Sequence, residues 1–90
     1  MIKVIIELYG ATKDLSKENS IEIKIKKNSS IKDIKSQLIK FVEKNFNGNE
    51  NLKKLVLSSA FCSDKDEIID ENYKVSHNQV VGIIPPIGGG

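Results

Sequence analysis

The residues with the clearest chemical use stand at the end of the sequence: Val80-Val81-Gly82-Ile83-Ile84-Pro85-Pro86-Ile87-Gly88-Gly89-Gly90. An apolar run passes into two prolines, one isoleucine and three glycines. Pro85 and Pro86 have a fixed φ and no N–H, so they end a strand and aim the backbone in an extended, polyproline-like direction. Ile87 offers a single apolar side chain for docking in a partner's pocket. Gly88, Gly89 and Gly90 carry no Cβ, so they can thread a narrow channel. The final group is a carboxylate with a reference pKa of about 3.5. A carboxylate is a poor electrophile and acylates only after one oxygen becomes a leaving group, most simply through adenylation with ATP. An enzyme performing that step needs the group extended and clear of side chains. Glycines alone would also fit a frayed terminus or an engineered scar, but Pro-Pro-Ile directly after a strand would not.

Elsewhere the chemistry is thin. One histidine and one cysteine, with no pair at ligand spacing, support neither a metal site nor a Cys–His nucleophile. His77 falls in a polar turn and reads as exposed and without a role. Cys62 follows Phe61 in an apolar run and reads as a buried, inert thiol. Asp64, Asp66, Glu67, Asp70 and Glu71 cluster like an ion site but lack the glycine and ligand spacing of a calcium loop, so a solvated acidic loop is expected.

Ninety residues suit one small domain. The charge of +2 comes from fourteen lysines, no arginine and twelve acids. Bidentate contacts to phosphate and guanine favour arginine, so no nucleic-acid partner is expected. One cysteine cannot close an intramolecular disulfide, which fits a reducing compartment. Neither a signal segment nor a membrane span is legible, and a cytosolic location is expected.

The elements that must position the tail follow from periodicity. Ile2, Val4, Ile6 and Leu8 share one face of a strand, with Ile5 on the other. Gly10 to Ser20 is a polar connection, and Ile21, Ile23 and Ile25 alternate with charged residues as the second strand of a hairpin. Ile31, Ile34, Leu38 and Val42 then recur at spacings of three and four. Ser30 stands as the N-cap of this helix and Asp33 as its capping-box partner. Lys35, Lys40 and Lys44 read as solvated positions on it, and Asn47-Gly48-Asn49 ends it. The apolar run from Leu52 to Cys62 is expected to be the next strand, Ile68-Ile69 a short edge strand, Val75 to Asn78 a turn, and Val80 to Ile84 the last strand. This order predicts an α+β fold, a β-grasp with a mixed sheet of four to five strands crossed by one main helix. The domain spans 1–84, with a flexible tail over 85–90.

The Ile84-Pro85-Pro86-Ile87 ending before terminal glycines resembles the MoaD/ThiS family of ubiquitin-like sulfur carriers, and within it the molybdopterin synthase branch. The resemblance covers the chain in element order and is specific from about Val75 to Gly90. It implies that an E1-like enzyme adenylates Gly90, with AMP transiently linked there, and that a persulfide donor converts it to a thiocarboxylate. Pro85, Pro86, Ile87, Gly88 and Gly89 would then enter the large synthase subunit, in a heterotetramer, and sulfur would pass to a cyclic pterin precursor to build a dithiolene. No permanently bound cofactor or metal is implied, nor any catalytic site within the domain itself. The same ending would also serve a protein modifier, or a carrier for tRNA thiolation or thiamine. Three positions depart from the family pattern. His77-Asn78-Gln79-Val80 replaces an acidic, glycine-containing turn, where Asn78 is expected to supply positive φ. Ser58-Ser59-Ala60 lacks a Val-Asn pair, and Gly88 extends the glycine pair to three.

Overall fold

The computed structural model describes residues 1–65 and 67–86. The expectations for Asp66, Ile87, Gly88, Gly89 and Gly90 therefore lie outside the described residues. Strand β1 (Ile2–Leu8) buries Val4, Ile6 and Leu8 on one face, as its alternation requires. It pairs antiparallel with β2 (Ser20–Ile25), setting Val4 opposite Ile23 and Ile6 opposite Ile21. The connection holds a 3-10 helix, Gly10–Leu15. Thr12 fixes its start, since Oγ1 accepts from the Tyr9 N–H at 2.8 Å and donates to the Tyr9 carbonyl, which satisfies a buried hydroxyl.

Helix α1 (Ile31–Asn45) buries the expected stripe of Ile31, Ile34, Leu38 and Val42. The Ser30 hydroxyl accepts from the Asp33 N–H at 3.3 Å, and the Asp33 carboxylate accepts from the Ser30 N–H at 2.9 Å. The Ser30 N–H foremost, and then the Ser30 hydroxyl, which donates to the same carboxylate oxygen at 3.1 Å, hold the Asp33 carboxyl below its ordinary 3.8. Replacing Ser30 with alanine should cost about 1 kcal/mol in urea unfolding. A carboxylate with a depressed folded pKa stabilises above its unfolded pKa, and that contribution disappears as pH falls through the folded value. The difference in thermal midpoint between the parent and Asp33→Asn should accordingly be full at neutral pH and narrow as pH falls below the ordinary carboxylate range. A difference that persists undiminished in acid would contradict this linkage.

The run from Leu52 to Cys62 departs from expectation. It divides into helix α2 (Glu50–Ser58) and a short strand β4 (Ala60–Cys62). Asn49 caps α2 by accepting from the Leu52 N–H at 3.1 Å. Leu52, Leu55 and Val56 then fall on one helical face, leaving Leu57 61 % exposed. Lys53 meets Glu43 at 3.2 Å and ties α2 to α1. Lys35 also departs from the solvated reading. Its side chain is 11 % exposed, and its ammonium donates to the Leu57 carbonyl at 3.3 Å and to Glu71 Oε1 at 2.9 Å.

Strand β5 (Ile68–Ile69) forms the expected edge, and β7 (Gln79–Ile84) closes the fold. The five-stranded sheet has the order β2-β1-β7-β4-β5, with β7 parallel to β1 and antiparallel to β4. Val75, expected to open the turn, instead joins Lys74 in β6 (Lys74–Val75), which pairs with β3 (Ser29–Ser30) in a separate two-stranded sheet. Helix α1 covers one sheet face, where Val81, Ile83 and Phe61 join the core.

Candidate functional site

The site begins where β7 leaves the sheet. This strand is the middle one of five, held on both sides, so the direction of its last residue is set by eight paired residues rather than by a frayed edge; Ile83 lies opposite Leu8 on one side and Phe61 on the other. Ile84 and Pro85 are half-buried and Pro86 is exposed, which marks the passage from core to solvent. Gly10 lies against this root. Its φ is +55°, and a Cβ there would stand 3.0 Å from Pro85 Cγ. A side chain at Gly10 would be strained and would press on the proline that aims the tail. Ala11, Asn51, Lys54, Leu55, Pro85 and Pro86 line a groove of about 460 Å³ beside the root. Pro85 and Pro86 are thus at the exit of the last strand, as expected, while the positions of Ile87, Gly88, Gly89 and Gly90 lie outside the described residues.

The sheet face away from α1 continues from this root. Strand register puts Ile5 beside Val80, and Glu7 and Cys62 on either side of Gly82. Gly82 is buried because two side chains close over it. A Cβ there would lie 2.7 Å from Cys62 Sγ and 2.9 Å from a Tyr9 ring carbon. Gly82→Ala should cost about 1–3 kcal/mol, lowering the thermal midpoint by roughly 5–20 °C. A second change, Cys62→Ala, should restore part of the loss because it removes the nearer atom. A Gly82→Ala protein as stable as the parent would mean that this face yields freely. Ile68, 68 % exposed, and Tyr9, 43 % exposed, extend the apolar surface toward solvent.

The other candidate groups do not converge. Cys62 is buried, as read from its apolar run. His77 is exposed and meets the Ser76 hydroxyl at 3.4 Å. Asn78 does not adopt positive φ; its Oδ1 accepts instead from the Lys3 N–H at 2.8 Å, pinning the approach to β7 against the start of β1. The acidic segment is occupied with its own backbone. Ser63 Oγ accepts from the Lys65 and Glu67 N–H groups, and Asp70 Oδ1 accepts from the Asn72 N–H at 2.8 Å. The hydrogen bond from Lys35 and its charge hold the Glu71 carboxyl below the ordinary value. Among the described residues no three His, Cys, Asp or Glu side chains gather as a metal site. No helix among the described residues is long and apolar enough to cross a membrane.

A hairpin, a crossing helix and a central final strand define the ubiquitin-like β-grasp fold. No protein-family model matches the chain, and no curated protein does. Solved structures do. The Pyrococcus furiosus protein assigned as molybdopterin converting factor, subunit 1, superposes with a TM-score of 0.71 at 17 % identity, over 97 % of this chain and 100 % of that one. Small archaeal modifier protein 1 of Haloferax volcanii gives 0.69 at 10 % identity, over 97 % and 100 %. Subunit 1 of the Helicobacter pylori molybdopterin-converting factor, solved in complex with subunit 2, gives 0.54 at 22 % identity, over 99 % and 100 %. At these identities the likeness is one of fold. Sequence reasoning missed Gly10 and Gly82 as supports of the root; both are legible as glycines, but only the packing reveals what stands against them.

Proposed function

We propose that the chain is a ubiquitin-like sulfur carrier acting as the small subunit of a molybdopterin synthase, with Gly90 as the residue that carries sulfur. The observation that supports this most is the placement of Ile84-Pro85-Pro86 as the exit of a clamped central strand, immediately before a sequence almost free of side chains. In this reading a carboxylate oxygen of Gly90 attacks the α-phosphorus of ATP and releases pyrophosphate. Sulfur from a persulfide donor then displaces AMP, and reduction of the resulting acyl disulfide by a thiol leaves the thiocarboxylate. A thiocarboxylate is anionic and nucleophilic, so the domain needs no base of its own. Substrate contacts and acid–base groups belong to a large subunit, whose active site receives Pro85 through Gly90. The exposed sheet face around Ile68 and Tyr9 supplies the docking anchors.

The test is incubation with an E1-like adenylating enzyme, ATP and a sulfide source, followed by intact-mass measurement. A gain equal to exchange of one oxygen for sulfur, confined to the C-terminal peptide, is expected. The likeness to small archaeal modifier protein 1 favours a second reading, conjugation of Gly90 to protein lysines. Isopeptide adducts without any thiocarboxylate would replace the first reading with the second.

A further inference from the structure

We propose that the chain pairs with a second copy of itself through the open edge of β2, antiparallel and centred on Ile23. This goes beyond the carrier reading, because β1 separates that edge from the strand leading to the tail. Among the described residues β2 pairs with β1 alone. The register settles which backbone groups are left over. The Leu8 N–H donates to the Asn19 carbonyl at 2.9 Å, and the same register sets Val4 opposite Ile23. Alternate residues of an antiparallel strand bond to alternate sides. Asn19, Ile21, Ile23 and Ile25 therefore turn to β1, while Ser20, Glu22 and Lys24 aim their N–H and C=O groups outward. Lysine on such an edge ordinarily discourages pairing. Here Glu22 stands two residues from Lys24, which makes the edge complementary to itself in one register.

A twofold axis at Ile23 sets Glu22 of each copy opposite Lys24 of the other, an isologous contact. Both residues have outward backbone groups, so each pair exchanges its N–H and C=O bonds. Their side chains share the sheet face away from α1, where opposite charges attract across strands. Lys24 gains most from this. In the single copy it stands opposite Lys3 of β1, a like charge, and takes part in none of the ion pairs formed among the described residues. Glu22 meets Lys3 only at 3.9 Å, with both side chains about half exposed, so that contact yields at little cost. On the α1 face, half-buried Ile23 meets its own copy beside half-buried Phe41. Sliding the strands by two residues would set Glu22 against Glu22 or Lys24 against Lys24, so charge selects the register. Lys40 and Lys44 rim the same groove in both copies. Their repulsion and the shortness of the edge keep the association weak.

The test is sedimentation equilibrium of the full chain up to about 1 mM, where a dimer with a Kd of about 100 μM is expected. Glu22→Lys and Lys24→Glu, both at exposed positions, should each weaken it about tenfold with the thermal melt preserved, because each sets like charges opposite one another. An equimolar mixture of the two variants should regain the parental affinity as a heterodimer. One chain then carries only lysine at the two positions and the other only glutamate, which restores both pairs. In a mixture of labelled and unlabelled parent, a cross-peak between the Ile23 Hα protons of the two copies should mark the centre of the register, since such non-hydrogen-bonded pairs approach most closely. A chain that stays monomeric to about 1 mM would overturn the proposal, including one whose Ser20–Ile25 amides shift only when an unlike protein or peptide is added. So would a dimer indifferent to both single variants, or a mixture of variants that fails to associate.

Discussion

One alanine appended after Gly90 should reduce thiocarboxylate formation by at least about a hundredfold, the scale of rate lost when a reacting atom is displaced by roughly 1 Å. In the proposed reading the extension displaces the acyl carbon by one residue and adds a Cβ where the activating enzyme would meet only glycine. Gly90→Ala should behave alike, because it adds the same methyl at the reacting residue. Neither change touches the described core, so thermal midpoints should stay within about 2 °C of the parent, the range of a neutral surface change. Intact mass after incubation with the adenylating enzyme reads the first quantity and a thermal melt reads the second. Normal sulfur loading of the extended chain would remove Gly90 from the role assigned to it. A large drop in midpoint would instead mean that the tail contributes to folding.

Phe61→Ala should do the reverse, removing stability while leaving every tail residue in place. Phe61 is 1 % exposed and stands in β4 between Ile83 of β7 and Ile69 of β5. The Lys35 ammonium lies 5.8 Å from its ring centroid, so the ring also supports the cation that joins α1 to Glu71. Emptying such a site costs about 3–5 kcal/mol. That loss lowers the midpoint of a domain this size by roughly 12–30 °C and consumes much of a typical total stability. Phe61→Leu should recover more than half of the loss, because most of the volume returns. A midpoint within about 5 °C of the parent for the alanine variant, about the effect of 1 kcal/mol, would show that the neighbouring strands close the space.

Much of this fold was legible because several signals agreed at the same residues. In β1 and β2 the alternation of Ile, Val and Leu with Lys and Glu matched both the burial and the pairing. For α1 the stripe Ile31, Ile34, Leu38, Val42 coincided with a capping pair at Ser30 and Asp33, and all six are placed as read. The segment from Leu52 to Cys62 misled because Leu55, Val56 and Leu57 are contiguous, and contiguity imitates a buried strand. The correcting signals were weaker: Asn49 as a cap, Glu50 in the first turn, and the spacing from Leu52 to Leu55 and Val56. Lys35 was illegible for a different reason. Its burial depends on Phe61, Leu57 and Glu71, which come from three later parts of the chain. At the site, Pro85 and Pro86 were readable from covalent geometry alone, whereas the contact of Gly10 with Pro85 required the folded packing.

The parallel pairing of β1 with β7 joins residues about as far apart as this chain allows, with Val4 opposite Gln79. Such closure is entropically slow and comes late, placing the domain among slower folders for its size. During synthesis β1 must wait, unsatisfied on one side, until residues 79–84 emerge. A copy truncated before Gln79 would leave β1 and β4 without their shared neighbour. Completion of the body and presentation of the tail's root therefore rest on the same six residues.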